Sequence, residues 1–208
     1  GTFTAGSSRG FVKTDKGLAM DFDGSATKIV YSRPDLTLTE PFTFIYAGDL
    51  TNTVNGHMFY YCIDSNNYIT IGSEVTTIGI YTQLKIAGAI TSIKTTIVDN
   101  VIIGNKLVIV SYNGATLSLF VNNKEYTTSG GTITGSNATD TLIIGSRGAS
   151  SYNRGTSFIA TIKDYQLTTQ ERNELYKEFL NRKPKSEIKF NPQRIIKPTD
   201  LSSEVGLV

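Results

Sequence analysis

The chain of 208 residues contains no Trp, one His, one Cys and five Pro. Each scarcity removes a chemistry. A single cysteine, Cys62, closes no disulfide within the chain, and with only His57 beside it no structural zinc site of several thiolates or imidazoles can be assembled. A Ser–His–acid triad would have to use His57, which opens the apolar run His57-Met58-Phe59-Tyr60-Tyr61-Cys62 and has no nucleophile elbow near it. Cys62 in that run reads as a small buried hydrophobe. Without Trp, the strongest stacking platform for a sugar ring is missing, and any such role falls to the 11 Tyr.

Charge of one sign is also scarce. Lys and Arg number 20 against 18 Asp and Glu, a formal charge of +2. Residues 1–168 carry 12 basic and 12 acidic side chains and residues 169–208 carry 8 and 6, so the excess lies in the tail and no basic cluster suits a phosphate backbone. Nucleic acid is therefore not an expected partner. The longest apolar runs, such as Leu107 to Val110, fall far short of the roughly 20 residues a membrane-spanning helix needs. The opening Gly-Thr-Phe-Thr-Ala-Gly-Ser-Ser-Arg-Gly has neither an initiating Met nor an apolar signal core, and reads as a processed or excised chain.

What is present is alternation. Period-two patterns and β-branched residues fill the first 165 positions, with turn residues at short intervals, and predict an all-β domain. Strands are expected in Phe42 to Ala47, Met58 to Ile63, Tyr68 to Ile71, Ile90 to Val98, Thr141 to Ile144 and Phe158 to Tyr165. Lys106 to Tyr112 is apolar on both parities and belongs in the middle of a sandwich. Asn113-Gly114 between two strand patterns predicts a two-residue hairpin turn with positive φ at both central positions, and Asn122-Asn123 marks a second turn, so the strands form a meander. One helix is expected over about 169–181: Thr168 and Glu171 fit a capping box, Leu175, Tyr176, Phe179 and Leu180 form its apolar stripe, and Pro184 stops it. Beyond it, residues 184–208 hold three of the five Pro and read as an extended arm, while 1–183 form one domain.

The order of these features resembles a family. Leu18-Ala19-Met20-Asp21-Phe22-Asp23-Gly24, then Lys28-Ile29-Val30-Tyr31 and Phe42-Thr43-Phe44, is similar to the opening of laminin G-like, concanavalin A-like domains. The middle, Leu107 to Asn123, resembles their hairpin with a second tight turn. The end is the most specific part: Leu142-Ile143-Ile144-Gly145, a polar loop, Phe158 to Tyr165, then Leu167-Thr168-Thr169-Gln170-Glu171 and the helix through Leu175-Tyr176. The match spans about residues 18–180. It implies a concanavalin A-like (laminin G-like) antiparallel β-sandwich jelly roll of two sheets with about six or seven strands each, a fold that occurs in adhesion proteins, lectins, secreted bacterial enzymes and phage virion proteins. Since such a fold hosts many functions, the residues must decide among them.

Glycan-cutting relatives of the fold use paired carboxylates, often as a Glu-x-Asp-x-Glu run on one strand, and this chain has none. Asp21 and Asp23 share a strand face but meet a tight turn at Asp23-Gly24, and Glu171, Glu174 and Glu178 lie on the helix surface. No catalytic residue is assigned, and the expectation is a non-enzymatic recognition or structural module. The ligand candidates are Arg147, Tyr152, Asn153 and Arg154 in the excursion Arg147 to Gly155, with Tyr60, Tyr68 and Asn66 as a second group; the plain alternative is tyrosines filling half-buried strand positions and arginines solvating a loop. No cofactor is required. Calcium is the metal candidate, through Asp64 with Asp140, or Asp99-Asn100, against the reading of these as polar turns.

The expected partner is a cell-surface glycan or another virion protein, in a phage virion attachment or decoration setting that suits the missing disulfides and Thr/Ser/Asn/Gly-rich strands. A secreted carbohydrate-binding or glycan-degrading module is the alternative. The arm carries Ile188, Phe190, Ile195, Ile196, Leu201 and Val205, more apolar content than a solvated tail needs, and is expected to dock on its own sandwich or to join subunits into a homo-oligomer. Deleting residues 185–208 is predicted to lower the melting temperature or dissociate the assembly; an unchanged oligomer with an unchanged melting temperature would exclude docking.

Overall fold

A computed structural model describes residues 2–4, 11–14, 16–24, 27–32, 36–51, 56–74, 79–95, 103–129, 141–146 and 154–182. The strands, in chain order, are β1 (Thr2–Thr4), β2 (Phe11–Thr14), β3 (Gly17–Asp23), β4 (Lys28–Ser32), β5 (Phe42–Thr51), β6 (Gly56–Asp64), β7 (Asn67–Glu74), β8 (Gly79–Ile86), β9 (Ala89–Lys94), β10 (Ile103–Tyr112), β11 (Leu117–Val121), β12 (Lys124–Tyr126), β13 (Thr128–Ser129), β14 (Thr141–Ile144) and β15 (Arg154–Lys163), followed by α1 (Thr169–Asn181). They form an eight-stranded sheet in the order β1-β4-β14-β6-β7-β8-β9-β13 and a seven-stranded sheet in the order β12-β11-β10-β5-β15-β3-β2. Every pairing is antiparallel. The expected jelly-roll sandwich is present, with one strand more in the larger sheet than the resemblance implied.

Strand alternation sorts the side chains into three apolar clusters. Phe22, Phe42, Phe44, Tyr46, Phe59, Ile69, Ile71, Val108, Val110, Leu119 and Ile144 lie in the core between the sheets. Its rings pack edge to face, with Phe44 and Phe59 centroids 5.2 Å apart across the two sheets. The opposite parity of the seven-stranded sheet supplies Ile45, Ala47, Leu107, Ile109 and Phe120, which the helix covers with Phe179 and the segment leading into it with Leu167. That cover explains why β5 and β10 are apolar on both parities. A register shift after Ser157 places both Phe158 and Ile159 against the helix, where Phe158 stacks on Phe179 and the Arg172 guanidinium sits 3.8 Å from the centre of the Phe120 ring.

Two local expectations change. Asn113-Gly114 is not a two-residue turn: Tyr112 pairs with Leu117, leaving the four residues 113–116 as the loop. Gly114 has positive φ but Asn113 does not, because its side-chain oxygen instead accepts the N–H groups of Ala115 and Thr116. The two-residue turn with both φ positive occurs at Asn122-Asn123, φ 50° and 67°, and again at Ala87-Gly88, φ 48° and 85°. Ala87 carries no side-chain signal for that conformation; its N–H is held by Asn67 Oδ1 from the neighbouring turn. The second change is Leu180, expected in the helix stripe but 54% exposed while Phe179 is buried. The arm and Pro184 lie outside the described residues.

The helix starts as its sequence specifies. The Thr168 hydroxyl accepts from Glu171 N–H, and the Glu171 carboxylate accepts from Thr168 N–H at 2.7 Å. The backbone N–H and then the hydroxyl of Thr168 hold the Glu171 carboxyl below its ordinary range. A depressed carboxyl stabilises the fold above its unfolded pKa, and that contribution disappears as pH falls through the lower folded value. Thr168→Ala is predicted to cost roughly 0.5–2 kcal/mol in denaturant unfolding at neutral pH. Glu171→Gln should flatten the acid limb of stability against pH, and an acid limb identical to that of the wild type would refute the cap's role in it.

Candidate functional site

The two ends of the sandwich differ. At one end, the tight-turn end, lie Asp64–Asn67 between β6 and β7, Ala87-Gly88 between β8 and β9, residues 113–116 between β10 and β11, Lys16 between β2 and β3, and the entry to the helix; β4 and β14 also meet this end at Ser32 and Thr141. At the other end β3, β5, β7 and β9 stop and β4, β6, β8, β10 and β15 begin. Strand ends on a rigid sandwich are the usual setting for recognition.

The sequence candidates divide between these ends. Arg154 begins β15 opposite Asp23, at the end away from the Asp64–Asn67 turn. Arg147, Tyr152 and Asn153, with Asp99 and Asn100, lie outside the described residues. Asp64, the last residue of the nine-residue β6, and Asn66 occupy the opposite, tight-turn end, so Asn66 and the start of β15 at Arg154 lie at opposite ends of the sandwich.

The tight-turn end is locked by polar contacts. Asp64 Oδ1 accepts Asn66 N–H at 2.6 Å and the Asn67 amide at 3.1 Å, and Oδ2 takes the same amide at 3.0 Å. The Asn67 amide and Asn66 N–H hold the Asp64 carboxyl below its ordinary range. Asn67 Oδ1 then accepts Ala87 N–H, Asn66 O accepts Gly88 N–H, and Lys85 Nζ donates to Ser65 O at 2.9 Å, which ties the two turns together. Asp64 is thus a loop-capping carboxylate. Among the described residues no group of three or more His, Cys, Asp or Glu gathers as a metal site. Thr141 pairs with Cys62, two residues before Asp64, so a calcium site here would need Asp140, which lies outside the described residues.

Tyr60 and Tyr68 sit side by side on the outer face of the eight-stranded sheet, rings 6.4 Å apart, with Cys62 and Ile143. Tyr61 has the opposite parity and belongs to the core. Neither outer ring offers a platform: Tyr60 is 1% exposed and Tyr68 6%. Tyr68 donates to Gln83 Oε1 at 2.8 Å, and Gln83 donates to Ser92 Oγ at 3.2 Å. Further along the same face His57 Nε2 lies 2.9 Å from the Tyr81 hydroxyl. His57, Thr70 and Gln83 are buried with them, as is the thiol of Cys62, which donates to Asp64 O at 3.3 Å. Burial of Cys62 follows the sequence reading, but that of the polar residues beside it does not, because a period-two strand with polar outer residues ordinarily faces water.

Asp21 and Asp23 follow the turn reading. Asp23 Oδ1 accepts Thr27 N–H, Gly24 has φ 77°, and Asp21 pairs with Thr156. Glu174 accepts from the Gln170 amide on the exposed helix surface.

The two packed antiparallel sheets, with a helix on one of them, have the laminin G-like, concanavalin A-like fold. Among solved structures the chain is similar to the binding domain of botulinum neurotoxin DC in complex with SialylT, at TM-score 0.54 and 15% identity over 78% of this chain and 42% of that one. It is also similar to Trypanosoma rangeli sialidase, at TM-score 0.57 and 12% identity over 84% of this chain and 29% of that one. A third likeness is to domains LG4-5 of the mouse laminin alpha1 chain, at TM-score 0.52 and 12% identity over 80% of this chain and 46% of that one. The chain thus spans less than half the length of each. No family model and no curated protein matches it.

Gly72 pairs with Tyr81, and a Cβ there would come within 2.6 Å of both Gly56 O and the Tyr81 hydroxyl. Gly72→Ala is predicted to displace Tyr81 from His57 and to cost about 1–3 kcal/mol in urea unfolding. Wild-type stability in this variant would show that the ring is not held down by the bare backbone.

Proposed function

We propose that the chain is a non-enzymatic recognition module that contacts a glycan through the rim where Arg154 begins β15. The observation that carries this reading is that Arg154 begins β15 opposite Asp23 at an end of the sandwich. The sequence leading into that strand start holds two guanidinium groups, a Tyr ring and an Asn amide within eight residues: Arg147, Tyr152, Asn153 and Arg154. Guanidinium forks suit carboxylated sugars, a Tyr face suits the apolar side of a pyranose, and an amide suits vicinal hydroxyls. The fold's likeness to a toxin binding domain solved with SialylT supports the ligand class.

The non-enzymatic part of the reading rests on the sequence, which lacks a paired-carboxylate run, and on the turn and cap roles of Asp23 and Glu171. The setting we favour is a virion attachment or decoration protein, supported by a sequence that closes no internal disulfide. The likeness to a sialidase supports a secreted glycan-degrading module as the second reading, and turnover of sialylated or other polysaccharides by the purified chain would establish it in place of the first.

On a glycan array that includes acidic sugars, Arg147→Ala with Tyr152→Ala is expected to reduce binding at least about tenfold, the scale of two lost contacts of about 1 kcal/mol each. Asn66→Ala, at the opposite end, should leave it unchanged. Binding that survives the double change would remove this rim from recognition.

A further inference from the structure

The loop between β10 and β11 holds a side-chain amide in a reactive setting. Tyr112 pairs with Leu117, and Asn113, Gly114, Ala115 and Thr116 between them are all exposed. Asn113 Oδ1 accepts two backbone N–H groups, that of Thr116 at 2.7 Å and that of Ala115 at 2.9 Å, while Asn113 N–H donates to Thr116 O at 3.3 Å. The side chain is thereby folded around the Gly114 peptide. Among the described residues neither Gly114 N–H nor Asn113 Nδ2 makes a hydrogen bond. Gly114 has φ 93°, and even a Cβ built on it would meet nothing nearer than Thr39 O at 3.9 Å. Without a side chain and without an acceptor, its N–H is the least hindered backbone nitrogen such a loop can offer.

Two N–H donors on one carbonyl oxygen draw electron density away from Cγ. They also stand where negative charge gathers on Oδ1 when a nucleophile adds to that carbon. The turn supplies proximity as well, because it keeps Cγ beside the nitrogen of the next residue. No other described asparagine precedes a glycine. Asn67 also has both ends of its amide engaged, Nδ2 by Asp64 and Oδ1 by Ala87 N–H, and Asn123 Nδ2 is engaged by Asn173.

We propose that Asn113 is a self-modification site, at which Gly114 N attacks Asn113 Cγ and the N–H groups of Ala115 and Thr116 stabilise the addition. The Gly114 N–H proton passes to solvent base and an N–Cγ bond forms. The Cγ–Nδ2 bond breaks, and Nδ2 takes a proton from water and leaves as ammonia, which closes a succinimide. Water then opens the ring. Attack at Cγ restores the main chain and gives aspartate; attack at the main-chain carbonyl of residue 113 gives isoaspartate. The sum is water taken up and ammonia released, with no change of oxidation state. Each conversion puts a carboxylate at the tight-turn end and lowers the formal charge of +2 by one. Aspartate still offers an acceptor to both N–H groups, whereas isoaspartate adds a methylene to the main chain of this loop and draws the acceptor away from them.

The test holds the purified full-length chain at mildly alkaline pH, folded and in urea, and follows each asparagine by peptide mapping with mass spectrometry. Conversion at Asn113 is expected to run on the order of tenfold faster in the folded chain, because only the fold supplies the two donors, and at least about tenfold faster than at Asn66, Asn67, Asn122 or Asn123. Aspartate and isoaspartate should both appear, the signature of the ring. Gly114→Ala should slow the conversion about tenfold by crowding the attacking nitrogen. Equal or slower conversion in the folded wild type overturns the proposal. So does aspartate as the sole product, which would mean direct hydrolysis by water, or an undiminished rate in Gly114→Ala.

Discussion

The structure depends on β5 being apolar on both sides. Phe42, Phe44 and Tyr46 enter the core, while Thr43, Ile45 and Ala47 on the other parity are equally buried, and the strand lies between β10 and β15 at the centre of its sheet. A strand of this kind cannot face water, so the fold must supply a second layer, and the only described helix does so. Thr43 joins that layer to the sheet. Its hydroxyl donates to Tyr165 O at 2.8 Å and accepts Leu167 N–H at 3.2 Å, which fixes the approach to the helix before the cap at Thr168 begins it. The bulge that turns both Phe158 and Ile159 toward the helix and the stacking of Phe158 on Phe179 then follow from the same demand.

How much of this the sequence revealed depends on the range of the interactions involved. The helix is legible to the residue, Thr169–Asn181, because a capping box and a stripe are local signals. The strands are legible because alternation is local too. Asn113-Gly114 misleads because an Asn can satisfy a turn through its side chain as readily as through a left-handed backbone, and here the side chain wins. Ala87 at φ 48° is the converse, a residue with no turn preference placed there by Asn67 on the adjacent hairpin.

Burial of Tyr60 and Tyr68 was the largest feature hidden from the sequence. Their strand pattern states which face they share but not whether that face is buried. The division of the candidate residues has the same origin. Asn66 and Arg154 look alike as polar loop residues in sequence, and only the register of β6 and β15 puts them at opposite ends. At one of these ends Asp64, Asn67 and Lys85 lock two turns together.

The paths into and out of the described domain give that asymmetry a mechanical meaning. β1 runs from Thr2, paired with Val30, to Thr4, paired with Lys28, and so arrives from the tight-turn side; the helix leaves on that side as well, where Arg182 donates to Lys16 O at 3.0 Å. Polypeptide tethered at either terminus would therefore pull on the same pole of the sandwich. Force on either would enter the sandwich at that pole, through the edge pair β1–β4 and the foot of the helix, with the start of β15 at the far end of the strands.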